Sequence, residues 1–92
     1  MKFEFEQISV HIATGGRAHE DSASFVVFLH GSGQNHLTWS LQSRYFAYEG
    51  YNIIAPDFPG HGFSGGAPLF SIEDMADWLA RLLAAMGVQT AA

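Results

Sequence analysis

The chain contains no cysteine, few cations and no long apolar run, and each absence excludes a class of function. Without cysteine, the protein forms neither disulfides nor thiolate metal sites. Only 4 residues are Lys or Arg against 9 Asp or Glu, so the formal net charge is −5 and binding to nucleic acid through phosphate contacts is not expected. No segment approaches the roughly 18 apolar residues of a membrane span, so no membrane partner is expected either.

The amino terminus also lacks the pattern of a secretion signal. Glu4 and Glu6 interrupt the first residues, where a signal peptide has a continuous apolar stretch. What is present is a core-forming composition, with 48% apolar and 14% aromatic residues. We therefore expect a soluble, cytoplasmic protein whose 92 residues form one small domain at most, or a piece of one.

Three stretches of the chain have the hydrophobic pattern of β-strands. Residues 2–14 alternate apolar and polar side chains, and the phase of this alternation changes near Gln7. The change marks either a bulge or a tight turn between two strands. Residues 25–29 form an uninterrupted apolar run and 51–55 resemble it, which is typical of parallel strands covered on both faces. Residues 17–24 are polar without periodicity and predict a surface loop.

Two helices are predicted, one after each of the apolar runs. The first covers residues 36–49 and ends at Gly50, and the second covers 72–86, with Ser71 as its N-cap. The second helix has the stronger pattern, and its apolar stripe is expected to lie in the core. The apolar positions are Leu37, Leu41, Tyr45 and Tyr48 in the first helix, and Ile72, Met75, Ala76, Leu79, Leu82, Leu83 and Met86 in the second.

The alternation of strands and helices predicts an α/β fold with a parallel sheet and right-handed crossovers. Ligands of such sheets bind at the carboxyl ends of the strands. Two glycine-rich loops follow the apolar runs at that edge: residues 30–33, with the sequence His-Gly-Ser-Gly, and residues 57–66. The sequence therefore predicts that both loops share one face of the molecule.

These two loops, at their spacing and on their strands, resemble the N-terminal part of the α/β-hydrolase fold. The second loop has the pattern Asp-x-Pro-Gly-x-Gly-x-Ser, and the resemblance covers about residues 2–92. It implies two N-terminal strands, then strand–helix–strand–helix with parallel strands, and residues 88–92 as the opening of the next strand. Such domains have roughly 200–250 residues. The resemblance thus implies that residues 1–92 are a single partial domain, about the N-terminal third.

The resemblance also implies a hydrolase of esters or related bonds, without a cofactor or a metal, that acts on a small molecule. The backbone N–H of Ser32, together with Gly33, would form the oxyanion hole, and one such donor lowers the barrier by roughly 3–4 kcal/mol. The nucleophile, Ser or Asp, and the catalytic acid and His would come later in the chain, so the 92 residues alone are expected to be inactive. The implied loop-shaping residues are His30, Gly31, Asp57, Pro59, Gly60, Gly62 and Ser64, and the implied pocket residues are Trp39, Phe58 and His61.

Within the second loop, residues 62–66 match the nucleophile motif Gly-x-Ser-x-Gly. That motif requires a buried strand directly before it and a helix directly after it, and neither is predicted here. We therefore expect the Ser64 hydroxyl to bond backbone groups in a structural loop. Asp57, His61 and Ser64 also supply the residue types of a catalytic triad, but one short loop rarely aligns all three, and Asp57 is expected to bond loop N–H groups instead.

The remaining motifs give no metal or phosphate site. None of the five histidines has metal-ligand spacing on a predicted helix, and the first loop lacks both the third glycine of a dinucleotide loop and the Gly-Lys ending of a P-loop. His30 is instead expected to bond the neighbouring loop. The histidines are His11, His19, His30, His36 and His61.

A second hypothesis is a noncatalytic module, or a half-domain that functions by association with another chain. The apolar strand 25–29 would offer an exposed edge, and such edges favour self-association. Residues 88–92 are expected to cover this edge only in part.

Overall fold

The computed structural model describes residues 1–92 as a mixed four-stranded sheet with one helix on each face. The strand order is β1-β2-β4-β3; the pairs β1–β2 and β2–β4 are antiparallel, and the pair β3–β4 is parallel. The predicted order of elements is confirmed. The elements are β1 (Lys2–Phe5), β2 (Ile8–Ala13), β3 (Phe25–Val27), a 3₁₀ turn (His36–Trp39), α1 (Ser40–Tyr48), β4 (Asn52–Pro56) and α2 (Ile72–Ala85).

The change of phase at Gln7 is a tight turn and not a bulge. Phe5 pairs directly with Ile8, and the two residues between them have positive φ angles of 50° for Glu6 and 70° for Gln7. Two consecutive left-handed residues define the hairpin turn that suits the twist of antiparallel strands. The side chain of Glu6 also bonds Arg81 of α2 at 2.7 Å, which links the hairpin to that helix.

The two apolar runs form the parallel strands, but only the second is fully buried. Every residue of β4 is buried. The prediction that the strand at 25–29 is covered on both faces is confirmed in part: its residues pack alternately against the core clusters on the two faces, but β3 spans only Phe25–Val27 and is half-buried because it lies at the edge of the sheet. Its outer edge pairs with the end of the chain: Ala92 N donates to Phe25 O at 3.0 Å, and Val27 N donates to Ala92 O at 2.8 Å. Residues 91–92 thus pair in parallel with β3, within the segment 88–92 that was predicted to open the next strand.

The first helix begins with the 3₁₀ turn, where the Asn35 side chain accepts a hydrogen bond from Leu37 N, and continues as α1. Its buried positions are the small residues Ser43 and Ala47. The backbone of Gly15 packs directly on them, since a Cβ at Gly15 would lie 2.6 Å from the Ser43 carbonyl oxygen. The apolar stripe of this helix therefore lies outside the core. It consists of Leu37, Leu41, Tyr45 and Tyr48, which are 61, 79, 59 and 84% exposed.

The second helix, α2, begins as predicted, with the Ser71 hydroxyl accepting from Asp74 N at 3.0 Å. The predicted core stripe is partly wrong: Ile72 is 77% exposed, whereas Trp78, which is not part of that stripe, is buried with Leu82. The helix packs on the sheet through these two residues, and this orientation turns Ile72 away from the core. Neither helix has the length and apolar character needed to cross a membrane. The core on this side of the sheet comprises Val10, Ile12, Ile54, Phe58, Trp78 and Leu82.

Candidate active site

The side chain of His30 joins the ends of the two parallel strands. Its Nε2 accepts a hydrogen bond from the backbone N–H of Phe58 at 3.0 Å, so its Nδ1 carries the proton and donates to the carbonyl oxygen of Gly31 at 2.7 Å. The residue is only 4% exposed. The loop after β3 and the loop after β4 are therefore adjacent, as the sheet topology predicts.

A second histidine links the two loops nearer to solvent. The backbone N–H of Gly33 donates to Nε2 of His61 at 3.1 Å, and Nδ1 of His61 lies 3.1 Å from the carbonyl oxygen of Pro59. The rings of His61 and His30 are 5.1 Å apart between centroids. In this arrangement the Gly33 amide, one of the two expected oxyanion donors, is engaged by a side chain.

The amide of Ser32 is free. The neighbouring N–H of Gly31 donates to Oε1 of Gln34 at 3.0 Å and that of Gly33 to His61, whereas the N–H of Ser32 has no partner. Ser32 is exposed at the carboxyl-terminal end of the sheet. An unpaired backbone N–H in such a place is the kind of donor that stabilises an oxyanion.

Asp57 organises the second loop from inside the protein. Its carboxylate is fully buried and accepts hydrogen bonds from the backbone N–H groups of His36 at 2.6 Å and Phe63 at 3.0 Å. Nδ1 of His36 lies 2.8 Å from the same carboxylate. Gly62 passes so close to it that a Cβ at this position would overlap Asp57 Oδ2, and its φ is +51°. A larger residue than glycine therefore does not fit there.

Ser64 uses its hydroxyl for structural hydrogen bonds. Oγ donates to the carbonyl oxygen of Asp57 at 2.6 Å and accepts from the backbone N–H of His11 at 2.9 Å. The partner of the Asp57 carboxylate is His36 and not His61, so Asp57, His61 and Ser64 do not form a triad. The helix after this loop begins only at Ile72. The Gly-x-Ser-x-Gly match thus lacks both the base and the helix of a nucleophile turn.

Beside these loops lies an apolar groove of about 420 Å³ between α2 and the strand ends. Phe58 lines it, whereas Trp39 lies outside it, stacked on Phe28 with Nε1 bonded to Leu29 O at 2.8 Å. The second loop, which follows Phe58, is closed by a hydrogen bond of its own, in which Gly60 N donates to Gly65 O at 3.0 Å. The groove is lined by Leu29, His30, Phe58, Ile72, Met75, Ala76, Leu79, Ala80 and Leu83.

The site contains two features that the sequence did not predict. One is the pairing of His36 with Asp57, for which no local pattern exists, because the partners lie in different loops. The other is the part that α2 plays in the groove; helical periodicity identified its apolar residues but not which of them face the loops. Both features depend on how separate segments pack.

The family comparison agrees with this geometry. A model of the alpha/beta hydrolase family matches residues 26–90, which include both loops and the whole of α2. The chain belongs to the alpha/beta hydrolase family. Among curated proteins, none matches its sequence.

Solved structures of this family superpose on nearly the whole chain. A membrane phospholipase A described as a bacterial virulence factor matches with a TM-score of 0.84 and 22% identity over 99% of this chain and 29% of its own. Epoxide Hydrolase A from Mycobacterium thermoresistibile matches with a TM-score of 0.79 and 25% identity over 100% of this chain and 29% of its own. A structure described as a putative lipase from Acinetobacter baumannii AYE matches with a TM-score of 0.81 and 22% identity over 97% of this chain and 29% of its own. The chain thus spans under a third of the length of these hydrolases.

Proposed function

We propose that residues 1–92 form the oxyanion-binding side of a hydrolase that cleaves an ester or a related bond. The observation that carries this proposal is the unpaired N–H of Ser32. Ser32 follows His30 by two residues, and His30 lines the apolar groove. Membership of the alpha/beta hydrolase family supports the reaction class. The nucleophile, the acid and the catalytic His are proposed to come from outside these residues, since Ser64 is engaged in loop hydrogen bonds.

The proposed mechanism places the carbonyl oxygen of the substrate at the Ser32 amide. When a nucleophile attacks the carbonyl carbon, negative charge develops on that oxygen, and the N–H donates a hydrogen bond to it. A fixed donor acts more strongly on this charge than on the uncharged carbonyl, and its loss costs roughly 10²–10³-fold in rate. The Gly33 N–H is a possible second donor, and the substrate oxygen would have to replace His61 to use it.

The substrate class follows from the groove. Eight of its nine lining residues are hydrophobic, and its volume is about 420 Å³. Apolar surface contributes roughly 25 cal/mol per Å² when it is buried, so this lining favours the acyl or alcohol part of a small apolar ester over a charged substrate. We propose serine as the nucleophile, and aspartate is the alternative that the experiment below distinguishes.

The test uses the protein as its gene encodes it, with p-nitrophenyl butyrate and styrene oxide as substrates. Ser32→Pro removes the N–H, and we expect it to lower kcat by roughly 10²–10³-fold, whereas Ser32→Ala keeps the N–H and is expected to retain turnover. Circular dichroism checks that both variants keep the fold. Equal loss in the two variants would contradict a role for the backbone amide. Turnover of the epoxide rather than the ester would favour aspartate.

A fluorophosphonate probe tests where the nucleophile lies. We expect a phosphonylated serine outside residues 1–92, identified by mass spectrometry, and we expect Ser64→Ala to keep ester turnover. An adduct on Ser64 or Ser32 would overturn the assignment of these residues.

A second candidate function is association with another chain through β3. Phe25, Val26 and Val27 are half-buried, and the outer edge of this strand pairs only with Ala91 and Ala92. Leu29, just beyond it, is 42% exposed. A strand from a second copy of the chain could extend the sheet along this edge.

A further inference from the structure

Three side chains from separate segments converge at the buried carboxylate of Asp57. They are His11 of β2, His36 at the start of the 3₁₀ turn, and Asp57 after β4. One nitrogen or oxygen atom from each lies within 4.8 Å of those of the other two. The rings of His11 and His36 are 4.5 Å apart between centroids. The three side chains therefore form a cluster of groups that can ligate a metal ion.

Asp57 determines which nitrogen of His36 is available. Nδ1 of His36 lies 2.8 and 3.0 Å from the two carboxylate oxygens, and it therefore carries the proton and donates. In the neutral ring this leaves Nε2 unprotonated and without a partner. Metal-ligating histidines are commonly oriented in this way by a carboxylate on the other nitrogen.

His11 supplies a second imidazole whose ring nitrogens bond no protein group, whereas its backbone N–H donates to Ser64 Oγ and its carbonyl oxygen accepts from Asp57 N, both at 2.9 Å. A neutral imidazole binds a metal ion through such an unengaged ring nitrogen.

Both histidines line a polar pocket of about 330 Å³, which leaves room for further ligands. Hydroxyl groups and the guanidinium of Arg44 lie on its walls, so water or a small anion could complete the coordination. The pocket is separate from the apolar groove, and the two share no lining residue. Its other lining residues are Ala13, Thr14, Gly15, Gly16, Ser40 and Ser43.

We propose that His11 and His36 form a binding site for a divalent transition metal of the Zn²⁺ type, with Asp57 orienting His36. Two imidazole nitrogens suit Zn²⁺ and Co²⁺ and do not suit Mg²⁺ or Ca²⁺, which require oxygen ligands. The bound ion would connect β2 to the 3₁₀ turn and would stabilise the folded state by mass action. The sequence gives no sign of such a site, because its ligands are brought together only by the sheet.

The experiment titrates the purified chain with Co²⁺ and Zn²⁺ near neutral pH. Co²⁺ is followed by its visible absorption bands and Zn²⁺ by calorimetry and by the thermal midpoint. We expect one saturable site, a higher thermal midpoint with Zn²⁺, and at least a tenfold weaker affinity in His11→Ala and in His36→Gln. The control is His19→Ala, because Nε2 of His19 bonds Ile53 O at 2.8 Å, outside the pocket.

The absence of saturable binding in the unchanged protein would overturn the proposal, as would binding that survives His11→Ala. Binding lost equally in His19→Ala would also overturn it, since the ligands would then lie elsewhere. Mg²⁺ serves as the cation control and is expected to leave the thermal midpoint unchanged.

Discussion

The amide of Gly33 donates a 3.1 Å hydrogen bond to Nε2 of His61, and the two residues lie in different glycine-rich loops. This contact gives the neighbouring amides of Ser32 and Gly33 unequal roles. The Ser32 N–H is ready to bind a substrate oxygen, whereas the Gly33 N–H first has to lose its histidine partner. His61 thus acts on the candidate oxyanion site through the backbone of Gly33.

Replacement of His61 is expected to release the Gly33 amide. In His61→Ala, hydrogen exchange of the Gly33 amide should become at least tenfold faster, because exchange requires the hydrogen bond to be broken. The Ser32 amide is the internal control, since it has no bond to lose and its exchange should not change. NMR of the labelled protein measures both amides in one sample. An unchanged rate at Gly33 would mean that the contact with His61 is not maintained in solution.

Gly62 and Gly33 both have positive φ angles, but only Gly62 lies against a buried carboxylate. We expect Gly62→Ala to lower the free energy of unfolding by about 3 kcal/mol, from the left-handed backbone and the overlap with Asp57 together. Gly33→Ala is the matched control. Its Cβ would meet no atom within 4 Å, so only the backbone cost of about 1 kcal/mol is expected. Urea denaturation of the two variants measures the difference, and equal losses would contradict the close packing of Gly62 on Asp57.

Local patterns were sufficient to predict most of the fold. The buried run that forms β4, the Ser71 cap of α2 and the glycines that end the helices are all signals carried by neighbouring residues. The two loops could be placed on one face for the same reason, because the carboxyl ends of parallel strands meet at one edge. The turn at Glu6 and Gln7 could not be distinguished from a bulge, since these residues are unusual in left-handed turns.

What the sequence did not predict depends on tertiary packing. Hydrophobic periodicity identifies apolar residues on a helix, but the sheet decides which of them are buried. For this reason Trp78 is buried and Ile72 is exposed. The small residues Ser43 and Ala47 are buried because Gly15 approaches α1 closely, which leaves the larger apolar residues of that helix in solvent. The contact of Asp57 with His36 arises in the same way, from loops that only the folded sheet brings together.

The lowered pKa of His11 makes the stability of the protein depend on pH. Its ordinary value is 6.5, and burial, His36 and the amino terminus lower it in the folded protein. The folded state therefore binds this proton less tightly than the unfolded state, so the stabilisation is complete above pH 6.5 and is lost as the pH falls through the folded-state pKa. We expect the thermal midpoint to fall on acidification below neutral pH, and His11→Gln to reduce this dependence. An equally steep dependence in His11→Gln would assign the effect to other groups, and His19→Gln serves as the control.

The outer edge of β3 provides the last prediction. Val27 N points to this edge, where it donates to Ala92 O, whereas the next amide, Phe28 N, points inward to Ile54 O. We expect the chain to self-associate with rising concentration in light scattering after gel filtration, because a strand from a second copy can displace residues 91–92 and pair with this edge. Val27→Pro removes the outward N–H and should reduce association. Val27→Ala is the control, because it also removes most of the valine side chain but keeps the N–H. Circular dichroism checks that both variants have the same helix content, so that a difference in association does not reflect unfolding. A monomer at every concentration, or equal association of the two variants, would rule out this edge as the contact surface.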